Sequence, residues 1–149
     1  RGPMSDSTIA ISGFWSAYWY NGYIVGSEIG RGLDVLALTP SDQLTQNEID
    51  AAKLVRMDRF NPQLQTRLRW PASFVVARAY LDQLARTNGL APARRTAVTA
   101  QLAAAERQQG ARRRSSLTQL ATALDRDARN SSDAAKVRML ASAVRELAK

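Results

Sequence analysis

Residues 14–38 read FWSAYWYNGYIVGSEIGRGLDVLAL, and this stretch decides the fold. Six of the ten aromatic residues lie between Phe14 and Tyr23. Asn21-Gly22 separates two apolar runs, and both residues tolerate the positive φ of a type I′ turn, so a tight hairpin is predicted. A two-residue loop places Tyr20 opposite Tyr23, Trp19 opposite Ile24, Tyr18 opposite Val25 and Ala17 opposite Gly26. Because side chains alternate along a strand, Trp15, Trp19 and Ile24 share one face. Phe14, Tyr18, Tyr20, Tyr23 and Val25 share the other. A second turn at Gly30-Arg31-Gly32 leads to a third strand over 32–38, stopped by Thr39-Pro40. Thr8–Ile11 reads as a short additional strand. Both faces are apolar, so cover on both sides is expected, from the helices that follow, from a larger sheet of which the segment is part, or from a second copy of the chain. One aromatic face is expected to meet the helices.

Beyond Thr39 the pattern is helical. Thr45-Gln46-Asn47-Glu48 is a capping box and predicts a helix from Gln46 to about Met57. Phe60-Asn61-Pro62 ends it, and 62–70 read as a loop or a single turn. Pro71 suits the first position of a second helix, which Asn88-Gly89 closes. Pro92 opens a third, ended by Gly110. Ser115 or Ser116 is expected to cap a fourth, and Ser131 or Ser132 a fifth. Apolar residues recur at three and four positions in each, for instance Val137, Leu140, Ala141, Val144 and Leu147, so each helix carries one buried stripe.

The expected class is therefore α+β, mainly α: an N-terminal antiparallel β-meander of three to four strands, then a bundle of four or five helices. The divisions are 1–4, which resembles a tag remnant, 5–40 for the meander, 41–70 for a connecting helix and loop, and 71–149 for the bundle. The chain has 149 residues, enough for one core, and carries a net charge of +8. That charge is uneven, −1 over 1–40 and +9 over 41–149. No apolar run approaches the roughly 20 residues of a membrane span.

Residues 14–41, with the aromatic strand, the Asn-Gly turn and Tyr23-Ile24-Val25-Gly26-Ser27-Glu28-Ile29-Gly30-Arg31-Gly32-Leu33-Asp34-Val35, resemble the closing segment of bacterial LVIVD-repeat proteins. The resemblance implies a propeller-like β assembly, export to the cell surface or beyond, and no catalytic residues. Residues 73–148 resemble the FIMAH helical module of secreted bacterial enzymes, through Leu81, Leu84 and Gly89, then Leu102 and Ala105-Glu106, then Leu117 and Leu120. That resemblance implies an interaction or tethering appendage.

The chain has neither histidine nor cysteine, which removes Ser-His-Asp triads, cysteine nucleophiles, disulfides and ordinary zinc sites. Gly26, Gly30 and Gly32 form neither a P-loop nor a dinucleotide fingerprint. Asp125-Arg126-Asp127 with Asn130 has part of a calcium-loop spacing but lacks its turn glycine and terminal Glu. Glu28 and Asp34 flank a turn, and a carboxylate pair suits glycoside hydrolysis. No catalytic residue, metal site or cofactor is expected from the whole pattern. Two candidate binding sets remain. Trp15, Tyr18, Trp19 and Tyr23 offer rings for stacking, set against a role as core. Arg94, Arg95, Arg112, Arg113 and Arg114 form an anion patch if they converge with Arg107 and Arg129. The leading expectation is a non-enzymatic structural or interaction module, with self-association through an open sheet edge. Binding of nucleic acid or a cell-wall polyanion is the alternative, and a carboxylate-dependent hydrolase the third.

Overall fold

The structure, a computed structural model, describes residues 5–149, so the opening remnant 1–4 lies outside the described residues. Three antiparallel strands form one sheet in chain order: β1 (Phe14–Tyr20), β2 (Tyr23–Glu28) and β3 (Gly32–Ala37). Five α-helices follow among the described residues: α1 (Gln46–Lys53), α2 (Phe74–Arg86), α3 (Pro92–Glu106), α4 (Gly110–Asp127) and α5 (Ala134–Leu147). The fold is α+β and mainly helical, a meander followed by a bundle.

The hairpin has the predicted register, with Tyr20 paired to Tyr23, Trp19 to Ile24 and Tyr18 to Val25. Asn21 and Gly22 take φ of 50° and 93°, as the turn demands. One departure changes the faces. A bulge lies between Phe14 and Ser16, so Phe14 pairs with Glu28 while Ser16 pairs with Ser27. The extra residue, Trp15, shifts the alternation by one. Phe14 therefore joins Trp19 and Ile24 rather than Tyr18, and its ring lies over Gly26, where a Cβ would come within 2.5 Å of it. Thr8–Ile11 forms no strand; Gly13, at φ 121°, redirects the chain just before β1, and Ile9 and Ile11 are exposed.

Helices α2, α3, α4 and α5 pack around one core, with Leu84, Val98, Leu102, Leu117, Leu124, Val137, Leu140 and Val144 almost wholly buried. Their apolar stripes are consumed by each other. No stripe is left to cover the sheet, so the expected packing of an aromatic face on the helices does not occur. Instead α1 lies on α2 through Ala51, Val76 and Ala79.

Helix ends follow their caps. Thr45 and Glu48 complete the predicted capping box, but α1 stops at Lys53. Ser73, not Pro71, opens α2, because its hydroxyl accepts from the Val76 amide. Helix α4 begins at Gly110, five residues ahead of Ser115, and Ser116 donates to the Gln108 side chain instead of capping. Asp133 caps α5 by accepting from the Lys136 amide, while Ser131 donates to the Gly89 carbonyl and Ser132 to that of Asn88.

The sheet is held to the helices by its hairpin tip. The Asn21 carboxamide accepts from the Met57 amide at 2.8 Å and donates to the Met57 carbonyl at 3.0 Å. Tyr20 Oη donates to the same carbonyl at 2.8 Å, and its ring stacks on Phe60. Asn21→Gly keeps a residue that tolerates the turn and removes both side-chain bonds, each worth about 1 kcal/mol. The expected result is exchange of the Met57 amide faster by about tenfold or more, with bundle stability unchanged within about 0.5 kcal/mol. Native-state hydrogen exchange reads the first and urea unfolding the second; unaltered Met57 protection would show that the tip does not anchor the sheet.

Candidate functional site

The sheet now has two unlike faces. On one lie Phe14, Trp19, Ile24, Gly26, Glu28, Asp34 and Leu36. Phe14 and Leu36 are themselves 48 % and 44 % exposed, but the buried positions of the strands, Gly26, Glu28 and Asp34, all belong to this face. Glu28 is a structural clamp there. Its two carboxylate oxygens accept from the Gly13 amide at 2.8 Å and the Gly30 amide at 3.0 Å, tying the entry of β1 to the second turn. The Gly13 amide lowers its pKa most; burial opposes this, and the Arg31 and Gly30 amides and the Arg31 charge add to the lowering. A glycosidase acid needs the opposite, a raised pKa. The geometry of Glu28 thus suits backbone anchoring rather than proton donation.

The second face carries Tyr18, Tyr20, Tyr23, Val25, Leu33 and Val35 and has little over it. Tyr18 is 44 % exposed, Tyr23 47 %, Leu33 63 % and Val35 59 %. Trp15, at the bulge, is 76 % exposed. The four aromatic residues singled out in the sequence therefore do not form one platform. Tyr18 and Tyr23 share the open face, Trp19 sits half-buried on the other, and Trp15 projects at the edge strand. Leu33 and Val35 complete the open patch. Their alternation was visible in the sequence, but nothing there showed that the helices would leave it uncovered.

The arginines separate as well. Arg94 Nε bonds Asp127 at 2.8 Å, which sets the start of α3 beside the end of α4. Arg95 is spent on the Leu90 carbonyl at 2.7 Å. Arg112, Arg113 and Arg114 lie in the first two turns of α4, at the far end, and α3 alone spans about 22 Å. Arg113 lies over the Phe74 ring, 5.0 Å from its centroid. Arg107 accompanies this second group and Arg129 the first, so no single patch gathers all seven.

A constellation absent from the sequence reading joins α1 to α2. Arg86 forks onto Glu48, at 2.5 and 2.8 Å, and Asp82 accepts from Thr45 at 2.6 Å and Asn47 at 2.9 Å. Burial raises the Glu48 pKa, but the Arg86 and Thr45 bonds, a Gln83 bond and the Arg86 charge outweigh it and bring it down to about 2. Only the capping box of this set was legible, since the Arg86 partnership depends on how α2 crosses α1.

No group of three or more acidic side chains among the described residues is placed to hold a metal ion. No helix among them is long and apolar enough to cross a membrane. No family model, curated protein or solved structure matches the chain.

Proposed function

We propose that this chain is an interaction module whose unfinished sheet joins further β-structure, with the helical bundle as the attached docking or tethering part. The observation that carries this is the open face of Tyr18, Tyr23, Val25, Leu33 and Val35, apolar and without cover from the chain's own helices. An apolar face of that kind on a soluble domain marks a contact surface. Three strands of about six residues present only about 300 Å² per face. A stable complex commonly buries about 800 Å² per partner. The face alone is therefore too small, and the contact must extend sideways. Strand β3 offers the better edge, because β1 is bulged at Trp15, and bulges disfavour edge pairing.

The likeness of residues 14–41 to the last segment of LVIVD-repeat proteins supports neighbouring repeats as the natural complement, and with it an exported, non-enzymatic setting. Where no such repeat is supplied, a second copy takes its place. Light scattering should show a mass rising towards dimer as concentration increases. Leu33→Lys with Val35→Lys should return it to monomer, since lysine on an edge strand opposes pairing and both positions already face water. A parent chain that stays monomeric at every concentration sinks the proposal. Polyanion binding has less support, because the arginines divide between two ends of the bundle and Arg94 is already paired.

A further inference from the structure

On the side of the bundle formed by α1, α2 and α5 lies a groove that the sheet does not reach. Ala51 and Ala52 of α1, Val76 and Ala79 of α2, and Met139 of α5 line it, and Trp70 stands at its margin. Its volume is about 310 Å³. Trp70, Val76, Tyr80 and Met139 also line an adjoining cleft, so the two spaces are continuous at these residues. Alanines on facing helices leave the space unfilled, whereas the core on the opposite side of α2 is closed by leucines.

The polar lining has a definite sign. Glu48 reaches the groove, but Arg86 and Gln83 take its charge and its acceptors. Lys136, on the first turns of α5, has no carboxylate partner among the described residues. Tyr80 lines both spaces, and burial raises the pKa of its phenol, so it stays a neutral donor. The groove thus combines apolar walls, one uncompensated cation and one hydroxyl donor. Its complement is a small molecule with an apolar body and a single negative charge. Neutral apolar molecules would leave Lys136 unanswered, and a larger anion would exceed a volume at the lower limit of ligand pockets, about 300 Å³.

We infer that the α1–α2–α5 groove binds a small amphipathic monocarboxylate, its hydrocarbon part between Ala79, Met139 and Trp70 and its carboxylate at Lys136. The site is independent of the sheet and of the assembly proposed above.

The test uses the whole chain, octanoate and octan-1-ol, with binding followed by amide chemical shifts. Octanoate should perturb Ala51, Ala79 and Met139 and bind about tenfold more tightly than octanol, a ratio typical of one charge-assisted contact. Lys136→Met should bring the two affinities together. Ala52→Leu, at a half-exposed position, should fill the groove and weaken both by tenfold or more while the remaining amide spectrum shows an intact fold. Equal affinities in the parent, a preference that persists in Lys136→Met, no binding of octanoate, or shifts confined to the open sheet would each overturn the inference.

Discussion

Glu48→Ala should cost this protein about 3 kcal/mol, and Glu48→Gln should remove about 2 kcal/mol of its stability change between pH 4.5 and pH 2, leaving the share carried by Glu28. Glu48 is a hinge pin between two helices. Its carboxylate accepts from the Thr45 amide at 2.8 Å, which starts α1, and from the Arg86 fork, which binds α1 to α2. Its folded pKa is about 2 against 4.5 for the unassociated group. The sign follows from that depression. The unfolded chain takes up this proton near pH 4.5, and the folded one only near pH 2. The contribution is complete above pH 4.5 and disappears as pH falls to 2. The full shift would be worth about 3 kcal/mol. Arg86 is nearly one-third exposed, so solvent screens the pair and about 2 kcal/mol is the better figure. Alanine loses that contribution, which already includes the Thr45 bond, and leaves the partly buried Arg86 without its carboxylate, about another 1 kcal/mol. Urea unfolding at pH 7, 4 and 2.5 checks both. A Glu48→Gln chain whose stability falls with acid as steeply as the parent's would show that other carboxylates carry the effect.

That network also shows where sequence reasoning reached and where it stopped. Thr45 and Glu48 are three residues apart, so their mutual capping is a local fact, visible in the string. Arg86 lies 38 positions further on, and its fork depends on α1 crossing α2 at one particular place. The sheet divides in the same way. Asn21-Gly22 dictated a turn and a register, and both appear, because two residues and their φ angles suffice. The bulge at Trp15 obeys no such short rule, and it moved Phe14 to the other face. The largest misreading was global. Alternation correctly marked Tyr18, Tyr23, Leu33 and Val35 as residues wanting cover, but it could not say that four helical stripes would satisfy one another first. Likewise Arg94 and Arg112 each start a helix, yet the antiparallel passage from α3 to α4 sets them at opposite ends.

Gly89→Ala should cost about 3 kcal/mol, several times more than Gly32→Ala, although the φ of Gly89 is not positive. Asn88, at φ 51°, is the residue that takes the left-handed conformation closing α2. Gly89 serves another need. Its amide donates to the Leu84 carbonyl at 3.0 Å, and a Cβ there would come within 2.5 Å of Leu84 Cδ2 and 2.9 Å of Asp133 Cβ. Neither neighbour can retreat. Leu84 has no exposed surface, and Asp133 is held as the cap of α5. The hydroxyls of Thr87, Ser131 and Ser132 bond across the same junction, to Asp133, Gly89 and Asn88, so parting the two turns forfeits them as well. Overpacking alone costs about 1–3 kcal/mol, and the lost bonds place this site at the upper end. Gly32→Ala makes the control. Its φ of 90° strains alanine, but nothing lies within 4 Å, so about 1 kcal/mol is expected. The two changes separate crowding from backbone strain. If urea unfolding finds Gly89→Ala no worse than Gly32→Ala, the junction between the α2 and α5 turns is looser than these distances require, and the bundle's closure must be credited to its leucine core alone.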